Sequence, residues 1–191
     1  MAIESLYFTE MEGGYPHAVN ESTAAITNDS NQFYIDLGKS AAYGDMIVFS
    51  LDTPSHFTDG DTITGLEVVI EDAGTNSSEE TNVDVEIYNP TEGGYSDTIQ
   101  LTIDALSNPS SDDISAGNST QKWGFSTWTY SDLMDGDFRV HVDNPIEPGA
   151  GIALMATFIY LKVHYIPADV GSGKIQLNSG LIQLTSGKVT L

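Results

Sequence analysis

Apolar and polar residues alternate with a period of two through much of the chain, which is the spacing of a half-buried strand. Leu66, Val68 and Ile70 alternate with Glu67, Val69 and Glu71; Val83, Val85 and Ile87 with Asp84, Glu86 and Tyr88; Ile99, Leu101 and Ile103 with Gln100, Thr102 and Asp104. Ile63 is out of phase with Leu66 across Gly65, which predicts a bulge at that glycine. Upstream, Ile47, Phe49 and Leu51 share one parity and predict a strand that stops near Pro54. Downstream, Trp123, Phe125 and Thr127 predict a strand with Trp123 inward, and Phe138, Val140 and Val142 predict another. Ala153 to Ile166 is the longest apolar segment. It predicts a strand buried on both faces at its start and on one at its end, because Lys162 and His164 enter only in its second half.

The segments between these strands are polar. Ala73 to Glu80, Asn89 to Ser96 and Asn108 to Thr120 are rich in Gly, Asn, Ser and acids and read as exposed loops. Glycosylation-type triplets at Asn20, Asn28, Asn76 and Asn118 serve as markers of surface loops. One helical turn is predicted at Ser131-Asp132-Leu133-Met134, with Ser131 as its N-cap. Many strands and hardly a helix imply an all-β fold, an antiparallel β-sandwich, over residues 45–167. Residues 1–44 read as an N-terminal arm with short strands at Ser5 to Thr9 and Phe33 to Leu37, adding an edge strand or reaching a neighbour.

Residues 168–191 behave differently. SGKIQLN, SGLIQLT and SGKVTL follow one another with a period of seven, keeping Ile175, Ile182 and Val189 in one column and Leu177, Leu184 and Leu191 in another. Each unit is a short strand and a glycine turn, too small to bury its apolar pair alone. The units either lie as a small meander on their own sandwich or stack with the same tail from symmetry-related chains or into another protein. We favour assembly, with those six residues as the oligomerisation and docking contacts.

Charge narrows the function. The chain has 28 Asp and Glu against 6 Lys and Arg, a net charge of −22. No basic footprint for nucleic acid or anionic lipid is present, and self-repulsion at low salt is strong. The acids form either an ordinary solvated surface or an adaptation to high salt, and the scarcity of Lys favours the second. No cysteine is present, so disulfides and Cys-ligated zinc are excluded. No leader or spanning segment is visible, which predicts synthesis in the host cytoplasm and no membrane partner.

Candidate chemistry is sparse. Acid pairs such as Glu79-Glu80 and Asp112-Asp113 single out no catalytic dyad, and we expect no enzyme activity and no cofactor beyond structural cations in the acidic loops. His17, His56, His141 and His164 are far apart in sequence; His141 and His164 fall on polar parities and suit surface or inter-subunit hydrogen bonds. Among Trp123, Trp128, Tyr130, Tyr95 and Tyr15, parity puts Trp123 in the core and leaves Trp128 and Tyr130 as exposed candidates for glycan or protein contact.

The order of elements carries a resemblance. An alternating strand with Glu67 and Glu71, a Val-rich strand, a polar loop, a Trp strand, a Ser-Asp-Leu turn, a Phe138-Arg139-Val140-His141-Val142 strand and a final Tyr160-Leu161-Lys162-Val163-His164-Tyr165 strand follow in turn. The succession resembles the jelly-roll-like β-sandwich structural proteins of tailed viruses, over residues 45–167. The resemblance implies a virion building block, a capsid decoration, turret, tail or baseplate component. Its partners would be copies of itself and other virion proteins, and the acidic composition points to a virus of a halophilic archaeon. A glycan-binding adhesin module is the alternative.

Overall fold

The computed structural model describes residues 1–13, 33–36, 45–75, 80–103, 113–143, 153–168, 174–177 and 180–183. The strands are β1 (Ala2–Gly13), β2 (Phe33–Asp36), β3 (Asp45–Leu51), β4 (Thr62–Glu71), β5 (Gly74–Thr75), β6 (Thr81–Asn89) and β7 (Gly94–Tyr95). They continue with β8 (Ile99–Ile103), β9 (Ile114–Gly117), β10 (Arg139–Asp143), β11 (Ala153–Ala156), β12 (Phe158–Ile166), β13 (Lys174–Leu177) and β14 (Gly180–Gln183), and one short helix, α1, spans Tyr130–Leu133. All pairings are antiparallel. The expected all-β class is thus found, as one sheet curled into two packed layers.

The strand order of the main sheet is β7-β6-β10-β3-β1-β12-β4-β9, with β8 also on β6. The strand that makes the curl is β1. Its first half pairs with β12, from Ala2 opposite Tyr165 to Tyr7 opposite Tyr160. Its second half pairs with β3, from Phe8 opposite Leu51 to Gly13 opposite Met46. At the hand-over Tyr7 N–H donates to Asp52 Oδ1 at 2.7 Å and Asp52 N–H donates to the Tyr7 carbonyl at 2.8 Å. A strand that changes partner in this way forms the corner of a sandwich. Residues 2–13 of the expected arm are therefore central in the main sheet and not an edge strand, while residues 14–32 and 37–44 lie outside the described residues.

The core fills the space between the layers. Leu66, Val68 and Ile70 of β4, Ile159, Leu161 and Val163 of β12, and Leu6 and Phe8 of β1 meet Val83, Val85, Ile87, Val140 and Val142 from β6 and β10, all essentially inaccessible to solvent. On β3 the inward residues are Met46 and Val48, and the expected set Ile47, Phe49 and Leu51 is only half-buried. The phase break at Gly65 is a bulge: His164 faces Gly65 and the next residue, Tyr165, faces Ile63, leaving Thr64 as the extra residue. One end of the sandwich is plugged by Phe57, whose ring is 5.3 Å from those of Tyr130 and Tyr165. Its loop is tied down by the Glu4 carboxylate, which accepts the backbone N–H groups of Ser55 at 2.5 Å, of His56 at 3.0 Å, and of Phe57.

Several expected elements differ. The expected exposed loop of Ala73 to Glu80 begins with buried Ala73 and the buried β5, and that of Asn89 to Ser96 contains β7. The long strand is broken at Thr157 into β11 and β12, because Thr157 N–H and its hydroxyl turn to the carbonyl of Glu71 and the carboxylate of Asp72. The expected loop of Asn108 to Thr120 contains β9, which pairs with β4 from Glu67 opposite Gly117 to Ile70 opposite Ile114. The segment around Trp123 is not a strand but a series of turns, with Trp123 itself at φ 59°.

Candidate interaction face

Losing that strand removes the parity on which the aromatic sites rested. Trp128 is buried at 4% exposure, its indole N–H donating to the Lys122 carbonyl at 3.1 Å and its ring edge-on to Phe125 and Phe138. Tyr130 is half-buried against Phe57. Both are corrections to the expected exposed pair. The N-cap of α1 is Thr129, not Ser131, because Thr129 and Asp132 form a reciprocal capping box: Thr129 N–H donates to Asp132 Oδ2 at 2.7 Å and Asp132 N–H to Thr129 Oγ1 at 3.2 Å. Asp132 also accepts from Thr91 Oγ1. Asn89, Thr91, Glu92, Ser126, Thr127, Thr129, Ser131 and Asp132 line a polar pocket of about 430 Å³ beside these residues.

Of the proposed docking residues, Ile175 on β13 and Ile182 on β14 lie opposite one another in a hairpin, and Leu177 lies opposite Gly180. Leu184, Val189 and Leu191 lie outside the described residues, as do Asn20, Asn28 and Asn76.

The structure brings together a different set, on the outer face of β1, β12 and β4. Residues directly opposite in an antiparallel ladder point to the same side. Ile3 faces His164, Ser5 faces Lys162 and Tyr7 faces Tyr160 across β1 and β12. Across β12 and β4, Lys162 faces Glu67, Tyr160 faces Val69 and Phe158 faces Glu71. The rings of Tyr7, Phe158 and Tyr160 form a triangle with centroids 5.6 to 6.0 Å apart. Phe158 and Val69 are buried although they point away from the core. Large apolar residues exposed among the described residues concentrate here: Met1 (72%), Ile3 (59%), Tyr7 (43%) and Ile166 (51%), with Tyr95 (44%) elsewhere beside Tyr88 and His141.

A charged row crosses the middle of this face. Lys162 Nζ is 3.5 Å from Glu67 Oε1 and 5.8 Å from the Tyr160 ring centre. His164 Nε2 is 3.0 Å from Glu67 Oε2, so that nitrogen carries the proton it donates to the carboxylate, while its Nδ1 is buried with no hydrogen-bond partner. Burial pushes the Glu67 carboxyl up, but hydrogen bonds from His164 and Ser115 and the charge of Lys162 outweigh it and hold the group below its usual range. Glu71, at the end of the face, goes the other way, raised by burial and by the nearby Asp113 and Asp72. His164 is thus a buried partner of Glu67 and not a surface group, and His141 lies 3.5 Å from Glu86 on the opposite layer.

Among the described residues no group of three or more His, Asp or Glu side chains is placed to hold a metal ion. No described helix is long and apolar enough to cross a membrane. No family model matches the chain, and no curated protein matches it. The chain is similar to a solved structure, that of PfGH50B, at TM-score 0.47 and 9% identity, over 88% of this chain and 24% of that one. Nothing about activity or ligand is carried over at that level of similarity.

Sequence reasoning missed the face because Glu67 and Lys162 mark its parity as polar. The signal it left is that β1 is apolar on both parities, with Ile3 and Tyr7 between Ala2, Leu6 and Phe8.

Proposed function

We propose that this chain is a non-enzymatic structural protein of a tailed virus particle, an oligomeric capsid decoration, turret, tail or baseplate component adapted to high salt. The observation that carries the assembly part is the concentration of exposed apolar side chains on one sheet face of a chain whose net charge is −22. Such a patch on a soluble body marks a protein contact. The virion part rests on the sequence resemblance over residues 45–167, without its Trp strand, and on the C-terminal repeat, whose first two units pair as antiparallel strands. Mass spectrometry and immunogold labelling of particles purified from lysed host cultures test it: the chain in stoichiometric amounts on particles supports the reading, and its absence from them overturns it.

A second reading, a glycan-binding adhesin module, is favoured by the polar pocket lined by Thr91, Ser126, Thr127, Ser131 and their neighbours. Hydroxyl and carboxylate groups around an open pocket suit sugar hydroxyls. Glycan binding in molar salt that is lost in Ser126→Val with an unchanged fold would support it, and no binding across a broad glycan array would remove it.

A further inference from the structure

We infer that the outer face of β1, β12 and β4 packs against the same face of a second copy, turned end for end about a two-fold axis that runs across the strands through the row of Ser5, Lys162 and Glu67. The inference rests on the assembly reading above and names its partner.

The pattern of the face carries the argument. Ser5 stands midway between Ile3 and Tyr7 on β1, and Lys162 stands midway between His164 and Tyr160 on β12. One end is therefore aliphatic, with Ile3 continued by Met1 and Ile166, and the other is aromatic, with Tyr7 and Tyr160 over the buried Phe158. A rotation about the middle row places the aliphatic end of each copy on the aromatic end of the other. Two sheets that pack face to face lie about 10 Å apart, close enough for those side chains to interdigitate. An isologous contact of this kind requires a face that is complementary to itself under the rotation, and the reversal of aliphatic and aromatic ends supplies that.

Charge restricts where a second copy can dock. Two chains of net charge −22 repel each other over most of their surfaces. Along the middle row each Lys162 is already paired with Glu67 of its own chain at 3.5 Å, so two such rows meet without adding net charge. Glu71, Asp72 and Asp113 cluster beyond the aromatic end, at the margin of the contact where counter-ions remain. Molar salt should therefore strengthen the association.

The chain has no cysteine, so single introduced thiols report the contact cleanly. A residue on a two-fold axis meets its own counterpart. In molar KCl, light scattering of the full chain should give twice the 20.5 kDa of one copy, and Ser5→Cys should be joined to a dimer by a short bismaleimide while Tyr95→Cys is not. Ile3→Asp, at a position 59% exposed, should halve the mass and abolish the Ser5→Cys product with unchanged circular dichroism; Ile3→Ser should do so in part. A monomer at all concentrations in molar salt overturns the inference, yet leaves the virion reading standing if the chain is found on particles. An oligomer that keeps its mass with Ile3→Asp and gives no Ser5→Cys product also overturns it, and assigns assembly to another surface such as the repeat.

Discussion

Four glycines allow backbone strain and steric overlap to be measured separately. Gly136 has open space where a Cβ would stand and an ordinary φ; Gly93 has open space but φ +70°. At Gly65 a Cβ would lie 2.3 Å from the Asn118 carbonyl oxygen, at an ordinary φ. Gly117 combines both features, with φ +93° and a Cβ 2.3 Å from the Leu66 carbonyl oxygen and 3.1 Å from the Trp123 ring. Gly136→Ala should be neutral or stabilising by up to about 1 kcal/mol, through the unfolded chain. Gly93→Ala should cost about 1–2 kcal/mol, the left-handed penalty alone. Gly65→Ala meets backbone held by the Leu66 N–H to Gln121 carbonyl bond of 3.0 Å, and overpacking plus that bond cost about 2–4 kcal/mol. At Gly117 the Leu66 oxygen also accepts the Trp123 indole N–H at 3.0 Å, so strain, overlap and a lost bond sum to about 3–6 kcal/mol. For a chain of this length that is a fall in Tm of at least about 6 °C. Urea unfolding in molar salt, followed by tryptophan fluorescence because both indoles are buried, gives the four values. The reasoning is refuted if Gly117→Ala falls within about 1 kcal/mol of Gly93→Ala, for then the close approach of β9 to β4 contributes nothing.

The two glutamates of the outer face should respond to pH with opposite signs. The Glu71 pKa is raised on folding, so its stabilising effect is fullest below the unfolded value and declines as pH rises through the folded one; Glu71→Gln should stabilise at neutral pH by no more than about 1 kcal/mol, less in molar salt, and make no difference in acid. Glu67 is lowered, so it supports the fold above its unfolded value and the support is lost as pH falls through the folded one; Glu67→Gln should therefore destabilise at neutral pH, and equal melting curves for the two variants there would contradict at least one of the two signs. Asp132→Asn should cost about 1–3 kcal/mol in urea unfolding, because an amide cannot accept from Thr91 and from both Thr129 donors as the carboxylate does. With a net charge of −22, Tm should rise steeply from low to molar KCl and much less in isosmotic sucrose; equal rises would show that exclusion from the surface, and not screening, is responsible.

What the sequence reveals depends on whether a segment's burial is decided within the segment. For β4, β6 and β10 the alternation of Val, Ile and Leu with acids is enough, and the inward residues Val68, Val85 and Val140 are those expected. Gly65 was legible too, because a phase break between Ile63 and Leu66 is local. Where apolar residues occupy both parities, the pattern leaves the choice of face to the partner strands. On β3, Met46 and Val48 win over Ile47 and Phe49 because Phe49 pairs with Arg139 and Glu10 on the outer side, while Val48 pairs with the inward Val140. Around Trp123 the pattern misled for another reason: indoles 123 and 128 are fixed by hydrogen bonds to Leu66 and Lys122 carbonyls, and no strand period describes that.

The outer face follows the same logic, and it links the fold to the proposed contact. A strand confined to one layer needs one apolar parity; β1 serves two layers, and its first half keeps Leu6 inward while Ile3 and Tyr7 remain apolar on the outside. Those outward residues add nothing to the core, and exposed Ile3 in an acidic chain works against solubility unless something covers it. Were Ile3 and Tyr7 merely tolerated, Ile3→Asp would leave both fold and mass unchanged and improve solubility at low salt. Were they contacts, the same substitution would leave the fold intact and change the mass. The corner strand that closes the sandwich would then also present its assembly surface.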